Sequence, residues 1–382
     1  MPEQFLLMNI MVDSSQLFFS NKGGGIYYYL LKLLPRLIEK AKEHDDDIRL
    51  LNIYFRGRSQ APPREILNSR ICHLRFPVKL LNHLWLRCGL PNLSWFYGDI
   101  DVFHSPHFSL PMMSKAKKVL TVHDIAYLIH PEYYHASEVK LNEYGYKTLL
   151  KTNANRADRI IAISQHTKSD LVNYLNLPEH KITVVYLACD HPPQIANHMR
   201  DQILAKYGLS GVKYVYYPAG TMQPRKNIPN TIRAFNKAVS MEQRMKLVIS
   251  GVGSKVSIPP DIATDAVSFV RWEDEIERDA LCQGSEFVVY PSLYEGFGMP
   301  VIEAMANRKA VLTSNTSSLG EIASGYAHTV TPEDIDAISS GIVRLLSDDN
   351  YRKGLEVKSA RRAQDFSWER TAEETYAVYH SF

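Results

Sequence analysis

The stretch that most constrains the fold is the run from Glu286 to Ala306, EFVVYPSLYEGFGMPVIEAMA. An apolar, β-rich segment from Phe287 to Tyr290 is short enough for a buried strand. A loop with two glycines follows, and Pro300 suits the first turn of a helix, where its missing N–H costs nothing. A strand, a glycine loop and a helix start in this order indicate an α/β domain.

This junction also predicts an anion-binding site. The free N–H groups of the first helical turn and the positive end of the helix dipole point at one place, which suits a phosphate. Two carboxylates, Glu295 in the loop and Glu303 on the helix, lie in the same unit with seven residues between them. Each is better suited to accept hydrogen bonds from hydroxyls, which a nucleotide sugar carries on both sides of its diphosphate. The alternative is a glycine loop that binds nothing, which is common in α/β proteins.

The two glutamates at this spacing, Phe297 between Gly296 and Gly298, and the proline at the helix start resemble a known signature. It is the E-x7-E motif of retaining glycosyltransferases of the GT-B fold, of the glycosyltransferase family 4 type. The resemblance covers nearly the whole chain. It implies two Rossmann-like domains with parallel sheets facing across a cleft, and a C-terminal helix that crosses back to the first domain.

The length and the alternation of elements agree with that architecture. A chain of 382 residues is too long for one core, so two domains are expected. Strands alternate with helices throughout, which predicts parallel sheets and the α/β class. We expect an N-terminal acceptor-binding domain over 1–190, joined by the helix over 368–382, and a nucleotide-sugar-binding domain over 198–367.

Composition excludes several classes of protein. The net charge of +3 is too small to argue for nucleic acid, and the four cysteines are scattered, so neither zinc nor a disulfide framework is indicated. The N-terminus lacks a basic region and no run of about 18 apolar residues exists, so we expect a cytoplasmic protein. The aromatic segment 79–97 is flanked by basic residues. It is either an interfacial surface for a lipid-linked acceptor at the inner membrane, or a core helix and a loop.

The first domain offers two candidate sites. Gly24 and Gly25 precede a helix, where they either let a ligand approach the backbone or form a tight turn only. His123 and Asp124 follow an apolar strand, at the sheet edge where catalytic groups of α/β proteins collect. A lone histidine is more often structural, but this pair matches the first-domain pattern of the family, in which the histidine faces the transferred sugar.

The second domain offers a cationic site in the segment that opens at Gly220. Arg225 and Lys226 precede a helix, a position that the helix dipole disfavours for surface cations and that favours a role in holding a diphosphate. The family often has G-R-L-x-x-x-K here. This chain keeps the lysine as Lys226 and has Thr221 at the arginine position, so Arg225 is the candidate replacement.

The resemblance implies a role for each remaining residue. Glu303 would hold the ribose hydroxyls, Glu295 would accept from hydroxyls of the donor sugar, and the N–H groups of Phe297 to Met299 would place the sugar and the phosphate. Arg271 stands in a turn that meets the nucleobase in the family, although its neighbour Trp272 is as compatible with the core.

The expected reaction needs no cofactor. It transfers a sugar from a nucleotide to an acceptor hydroxyl with retention, by same-face attack in which the leaving phosphate takes the proton. No D-x-D stands in a suitable place, because Asp45-Asp-Asp47 lies in a turn and Asp99-Ile-Asp101 leads into a strand. We therefore expect metal-independent catalysis, with the nucleotide sugar as co-substrate.

Alternative functions remain open at the level of sequence. An epimerase or a phosphorylase can share the layout, although a phosphorylase needs a longer chain and a pyridoxal lysine. A non-catalytic two-domain binding protein is the other alternative. The residues of two motifs, PRKN at 224–227 and YEGFGMP at 294–300, resemble those of bacterial mannosyltransferases that build surface polysaccharides such as lipopolysaccharide O-antigen. GDP-mannose is therefore the first candidate donor, ahead of UDP-hexoses and dTDP-rhamnose, with a glycan or lipid-linked saccharide as acceptor.

Four local predictions concern helices. Pro35 is expected to kink or restart the first long helix. A long helix is expected over Glu138 to Arg156, and Ser164 is expected to cap the helix that follows. Near the C-terminus, helical spacing places an apolar stripe on one face, formed by Trp368, Ala372, Tyr376 and Tyr379.

Overall fold

The chain forms two α/β units in the computed structural model, which describes residues 7–19, 24–55, 60–111, 113, 115–134, 144–239, 245–251 and 258–382. The first unit comprises Met1–Ile129, Ser137–Leu187 and Trp368–Phe382, and the second comprises His130–Ala136 and Ala188–Ser367. Each unit is built on one parallel sheet, as the alternation of strands and helices predicts.

The sheet of the first unit has seven strands in the order β3-β2-β1-β4-β5-β6-β7. All of its neighbouring pairs are parallel. The strands are β1 (Asn9–Asp13), β2 (Asp47–Tyr54), β3 (Arg70–Arg75), β4 (Val102–Ser105), β5 (Lys117–Val122), β6 (Arg159–Ala162) and β7 (Ile182–Val184).

The helices of the first unit cover this sheet. They are α1 (Gly25–Glu43), α2 (Val78–Arg87), α3 (Ser94–Tyr97), α4 (Ala126–Ile129), a π-helical segment (Tyr144–Leu150), α5 (Lys151–Arg156) and α6 (Gln165–Leu175). Short 3₁₀ turns occupy Ser15–Phe18, Arg64–Ile66 and Glu179–Lys181. Helix α1 continues past Pro35, so the prediction of a restart there is wrong.

Two further helix predictions can be compared with the structure. Ser164 caps α6, because its Oγ accepts a hydrogen bond from the Thr167 N–H at 3.0 Å. Of the long helix predicted from Glu138, residues 138–143 lie outside the described residues, and the remainder begins as a π-helical segment before α5.

The segment 79–97 contains both a buried and an exposed part. Helix α2 buries Leu81 and Trp85, which fits the interpretation as a core helix. The following helix α3 leaves Trp95 and Phe96 exposed, at 66% and 57% of their surface. None of the helices in the described ranges is both long and apolar enough to span a membrane.

The sheet of the second unit has six parallel strands in the order β10-β9-β8-β11-β12-β13. The strands are β8 (Tyr214–Pro218), β9 (Lys246–Ser250), β10 (Val267–Val270), β11 (Val288–Tyr290), β12 (Val311–Ser314) and β13 (His328–Val330). The helices are α7 (Asn197–Lys206), α8 (Ile228–Ala238), α9 (Glu275–Gly284), α10 (Met299–Ala306), α11 (Ser317–Ala323), α12 (Ile335–Ser347) and α13 (Asp349–Ala363), with 3₁₀ turns at Pro131–Tyr133 and Pro224–Lys226.

The last helix, α14 (Trp368–Tyr379), belongs to the first unit and packs on α1. All four residues of the predicted apolar stripe are buried. The hydroxyl of Tyr379 hydrogen-bonds the Nδ1 atom of buried His104 at 2.6 Å, and the hydroxyl of Tyr376 donates to Asp46. The expected return of the C-terminal helix to the first domain is therefore confirmed.

Strand order reverses once in each sheet. In the first unit the reversal lies between β1 and β4, and in the second between β8 and β11. Ligands of open α/β sheets bind at the carboxyl ends of the strands at such switch points. Two places on the chain are therefore favoured for ligands before any side chain is considered.

Candidate functional site

The loops after β8 and β11 meet at the switch point of the second unit. The backbone carbonyl of Arg225 accepts a hydrogen bond from the Leu293 N–H at 2.7 Å, and the Ser292 hydroxyl oxygen lies 2.8 Å from the same carbonyl oxygen. Asn227, with a left-handed φ of 58°, donates from its side chain to the Pro291 carbonyl at 3.0 Å. These bonds hold the segment with the two cations against the loop of the glutamate motif.

Gly220 opens the first of these loops and has a structural reason to be glycine. Its φ of +72° lies in the left-handed region, which side chains other than glycine rarely adopt. A Cβ added to Gly251 would lie only 2.9 Å from the Cα of Gly220. The two backbones approach closely here, so Gly220 shapes the start of the loop.

Glu295 is the centre of a buried ionic cluster. One carboxylate oxygen, Oε1, accepts from the Lys226 ammonium at 2.7 Å, the Tyr290 hydroxyl at 2.9 Å and the Ser292 hydroxyl at 2.8 Å. The other, Oε2, accepts from the Arg225 guanidinium at 2.6 Å. Glu295 and Lys226 are 8% and 7% exposed. The two cations are therefore not surface charges; they are fixed by one carboxylate.

The charges of this cluster determine its chemistry. Burial acts to raise the pKa of Glu295, but the charges of Arg225 and Lys226 and the hydrogen bonds from Lys226 and Ser292 lower it to about 2. The carboxylate is thus ionised, and two cations with one anion leave one net positive charge. A carboxylate has about four acceptor positions, so Oε2, which accepts from Arg225 alone within the described part of the chain, can accept one further hydroxyl.

The glycine loop ends at the start of α10. Gly298 has a φ of +104°, and a Cβ there would lie 2.5 Å from a methyl group of Leu319. Phe297 is 3% exposed and packs edge-on against Phe366, with ring centroids 5.7 Å apart. Its ring is therefore part of the core, which leaves the backbone of Phe297 as the part of this residue that a ligand could contact. At this helix start Pro300 has no N–H and the Val301 N–H donates to the Gly298 carbonyl at 2.9 Å, so the Met299 N–H is the first-turn donor that has no partner inside the helix.

Glu303 lies one turn into α10 and pairs with a residue that sequence reasoning missed. The guanidinium of Arg278 on α9 approaches its Oε1 atom at 3.1 Å. Burial raises the pKa of Glu303, and the charge of Arg278 opposes that rise, whereas nearby acids including Asp279 and Asp190 add to it. Arg278 is the cation that favours the ionised form.

Arg271 follows the edge strand β10 and is exposed. Its backbone carbonyl accepts a hydrogen bond from the Tyr207 hydroxyl at 3.3 Å. The structure brings this arginine into no contact with the cluster of Glu295 within the described residues.

His123 lies at the carboxyl end of β5 in the first unit. Burial lowers its pKa to about 4, so the ring is neutral at pH 7. Its Nε2 atom is 3.1 Å from the carbonyl oxygen of Pro106, which can only accept, so Nε2 carries the proton and Nδ1 the lone pair. The ring of Tyr29 packs edge-on at 5.1 Å. His123 is therefore fixed in one tautomer.

Gly24 and Gly25 stand at the start of α1. Gly24 has a φ of −80°, neither glycine has a left-handed φ, and a Cβ at either position would meet nothing within 4 Å. A tight turn does not require glycine at these two positions. The interpretation as an open approach for a ligand remains a prediction, and Gly23 lies outside the described residues.

The structure thus brings Arg225, Lys226 and Glu295 into direct contact, with the glycine loop adjoining them. Sequence reasoning missed Tyr290, Ser292 and Arg278. The first two stand inside the central motif, where two hydroxyls close to a buried carboxylate were a usable signal. Arg278 is separated from Glu303 by a strand, so no local spacing pairs them. No group of three or more metal-ligating side chains occurs among the residues whose positions are described.

Two family profiles match the chain. The profile described as Glycosyltransferase Family 4 matches residues 23–191, and the one described as Glycosyl transferases group 1 matches residues 199–362. O-antigen chain mannosyltransferase B of Escherichia coli is 31% identical over 288 residues, which cover 73% of this chain and 74% of that protein. The chain belongs to glycosyltransferase family 4. It is therefore a glycosyltransferase, as the motif predicts.

Other proteins agree with this assignment at the level of family and fold. O-antigen chain mannosyltransferase RfbU of Salmonella typhimurium is 26% identical to this chain, and the alignment covers 88% of this chain and 90% of that protein. The structure of HepE from Anabaena in complex with UDP-glucose superposes with a TM-score of 0.70 at 14% identity, covering 99% of this chain and all of that one. This likeness supports the GT-B class that the sequence predicts.

Proposed function

We propose that this glycosyltransferase moves mannose from GDP-mannose to a glycan or lipid-linked saccharide, with retention, in the synthesis of a bacterial surface polysaccharide. The observation that carries the proposal is the cluster of Arg225, Lys226 and Glu295 beside the start of α10. The similarity to an O-antigen mannosyltransferase over three quarters of the chain supports the choice of sugar.

In this proposal the second unit binds the nucleotide. Glu303 accepts hydrogen bonds from the ribose hydroxyls, and Arg278 maintains its charge. Arg271 contacts the base through the turn after β10. The diphosphate lies at the N-terminus of α10, where the N–H groups of Phe297 to Met299 and the helix dipole favour an anion.

In the chemical step, the two cations stabilise the negative charge that develops on the leaving diphosphate. The bond between the anomeric carbon and the diphosphate oxygen breaks as the acceptor oxygen bonds to the same face of that carbon. The acceptor proton passes to the leaving phosphate oxygen. Arg225 and Lys226 stabilise the charge on the diphosphate, and because Glu295 fixes both before the substrate binds, little reorganisation is needed.

Each unit offers one side chain that suits a sugar hydroxyl. Oε2 of Glu295 keeps one acceptor position for a sugar hydroxyl. His123, neutral with its proton on Nε2, offers a lone pair on Nδ1, and Gly24 and Gly25 leave space at the backbone. The reaction needs no metal in this proposal, since the two cations supply the positive charge that a metal provides in other transferases.

Thermal unfolding in the presence of nucleotides tests the donor. We expect GDP to raise the melting temperature more than UDP, dTDP or ADP, equally with and without EDTA. A ligand at 100 times its dissociation constant stabilises by about 2.7 kcal/mol, which such a measurement resolves. Transfer of radiolabelled mannose from GDP-mannose to octyl glycosides, followed by assignment of the anomeric configuration, tests the reaction.

Other outcomes select other donors. A shift with UDP alone would favour a UDP-hexose, which the fold-level likeness to HepE bound to UDP-glucose leaves open. A shift with dTDP alone would favour dTDP-rhamnose. A binding protein is the non-enzymatic alternative, and it would bind nucleotide with no turnover of any donor. Loss of the GDP shift on adding EDTA would contradict metal-independent catalysis.

A further inference from the structure

A pocket that lies entirely within the first unit is found at the sheet edge opposite His123. It is lined by Asn9 at the start of β1, by residues 99–101 before β4 and by Lys115 before β5. His123 follows the carboxyl end of β5, and the six residues of that strand span roughly 17–20 Å. We call this pocket the amino-edge pocket. It is separate from the carboxyl edge, where the ligands of the reaction are expected.

The amino-edge pocket has the size of a small-molecule site and a polar wall. Its volume is about 550 Å³. Small-molecule sites occupy roughly 300–1,000 Å³. The Oδ2 atom of Asp101 accepts hydrogen bonds from the backbone N–H of Asn9 at 2.8 Å and from its side-chain amide at 3.1 Å. A carboxylate has about four acceptor positions, so Asp101 can accept further hydrogen bonds from the hydroxyls of a ligand.

Trp95 on α3 supplies an aromatic face to the same pocket. Its side chain is 66% exposed, whereas tryptophan is on average highly buried in folded proteins. The face of an indole carries partial negative charge and attracts the positive ends of C–H groups. A sugar ring presents C–H groups on its face and hydroxyls at its edge. An exposed indole beside hydrogen-bond acceptors therefore suits a sugar ring.

The segment that carries Trp95 is fixed by contacts with the core. The guanidinium of Arg49 on β2, which is buried, donates to the backbone carbonyls of Tyr97 and Asp99. The Tyr97 hydroxyl donates to the carbonyl of His73 on β3 at 2.8 Å. These bonds fix both ends of the short stretch between α3 and β4. A ligand that stacks on Trp95 therefore orders little of the backbone when it binds.

The charges of the pocket disfavour an anionic ligand. Asp99 and Asp101 are its carboxylates and Lys115 is its ammonium, which together give one net negative charge. An anionic membrane attracts basic segments, so it is poorly matched to this pocket. Asn92 adds a side-chain amide to the lining, and an amide both donates and accepts hydrogen bonds. A neutral ligand rich in hydroxyls fits this combination.

We propose that the amino-edge pocket is a non-catalytic saccharide-binding site, in which Trp95 stacks on a sugar ring and Asp99, Asp101 and Asn92 bind its hydroxyls. The site needs no nucleotide, so it goes beyond the proposed transfer reaction. When the bound glycan is also a substrate, this second point of attachment raises the effective concentration of its reacting end. That consequence alone rests on the proposed function.

The test compares Trp95→Ala and Asp99→Ala with the wild-type protein. Phe96→Ala is the matched control, because Phe96 lies on the same helix and is 57% exposed, but is not among the residues that line the pocket in the described part of the chain. Neutral oligosaccharides of mannose, glucose, galactose and N-acetylglucosamine are titrated into each protein. Binding is followed by saturation-transfer NMR and by the indole N–H signals, of which the spectrum of Trp95→Ala assigns the relevant one. Binding to vesicles of phosphatidylglycerol and phosphatidylcholine is measured on the same samples.

We expect the wild type to bind at least one of these oligosaccharides without nucleotide and to show a shift of the Trp95 indole signal. Trp95→Ala should bind it at least tenfold more weakly and Asp99→Ala at least threefold more weakly, whereas Phe96→Ala should stay within twofold of the wild type. The melting temperatures should change little, because all three side chains are exposed. In sugar transfer, Trp95→Ala should raise KM more for a long glycan acceptor than for an octyl glycoside.

The proposal is overturned if the wild type binds none of the oligosaccharides at millimolar concentration, or if Trp95→Ala binds them as tightly as the wild type does. Vesicle binding that Trp95→Ala and Phe96→Ala weaken equally, without oligosaccharide binding, would identify a membrane surface instead. Failure of the proposed function looks different: oligosaccharide binding would still depend on Trp95, while GDP does not shift the melting temperature and no sugar is transferred.

Discussion

At the scale of single residues, the buried ion pair between Lys226 and Glu295 fixes the position of both side chains. Lys226 is 7% exposed and donates to both Tyr290 and Glu295. If it stabilises the leaving diphosphate, Lys226→Met should lower kcat by about 10²–10³-fold. Steady-state kinetics with GDP-mannose measures the loss. Lys237→Met is the matched control on α8, because that ammonium is exposed and paired with Asp336. Equal losses in both variants would contradict the assignment.

The ionisation of Glu295 makes a prediction about stability and pH. Its folded pKa of about 2 lies below the ordinary 4.5, so its ionisation stabilises the fold above pH 4.5, and this contribution is lost as the pH falls towards 2. The full contribution is on the order of 3 kcal/mol. Urea unfolding of the wild type and Glu295→Gln should show a large difference at pH 6 that shrinks towards pH 3. A difference independent of pH would show that Glu295 is not ionised.

Arg278 makes a prediction about nucleotide affinity and pH. Burial raises the pKa of Glu303 and Arg278 opposes the rise, so Arg278→Met should raise it further. A protonated Glu303 accepts hydrogen bonds from ribose hydroxyls less well, and GDP affinity should therefore fall more steeply with decreasing pH in this variant than in the wild type. Arg278→Lys should restore part of the affinity. Calorimetric titration from pH 5.5 to 8 measures the effect, and parallel pH profiles would exclude this role for Arg278.

The sequence predicted the residues of the cluster better than their arrangement. Glu295, Arg225 and Lys226 were all predicted as site residues, Glu295 from its place in the E-x7-E motif and the two cations because the helix dipole disfavours cations at a helix start. Their mutual pairing was not predicted, since it depends on the loops after β8 and β11 lying side by side. The same limit applies to Arg278, because its partner Glu303 comes close only once α9 and α10 are packed.

At the scale of elements, a glycine precedes both α10 and α1, but only the start of α10 requires one. Gly298 has a φ of +104° and faces Leu319, so Gly298→Ala should strain the start of α10 and cost roughly 1–3 kcal/mol. Gly24→Ala is the matched control, because its φ is −80° and open space surrounds the added Cβ. Denaturant unfolding measures both. The prediction is wrong if the two variants lose equal stability.

Elements with a periodic pattern and a clear cap were predicted from the sequence, and those that depend on sheet context were not. Ser164 marked the start of α6 because its side chain satisfies a free N–H. The edge strand β3 alternates charged and apolar residues weakly and was missed, as was the three-residue β13. Pro35 did not end α1, because burial of Leu33, Leu34 and Leu37 outweighs the lost hydrogen bond.

At the scale of the whole molecule, the first unit is not continuous in sequence. The last strand of its sheet is β7, yet α14, from the far end of the chain, also belongs to this unit and buries one of its faces against it. Tyr379 bonds His104, whose Nε2 atom is 2.7 Å from the Thr121 hydroxyl on the neighbouring strand β5. A buried polar chain therefore links the last helix to the strand that ends beside His123.

A chain ending at Ser367 should consequently lose the first unit before the second. Removing α14 exposes apolar surface on α1 and leaves His104 and Asp46 without the partners that Tyr379 and Tyr376 provide, which destabilises by several kcal/mol. The second unit keeps every residue of the proposed nucleotide site. Thermal unfolding should show an early transition that GDP does not shift and a later one that it does.

Deleting only Ser381 and Phe382 is the control, and this deletion should lower the stability far less, because both residues lie beyond the buried stripe. A single transition at the wild-type temperature in the longer deletion would contradict a stabilising role for α14.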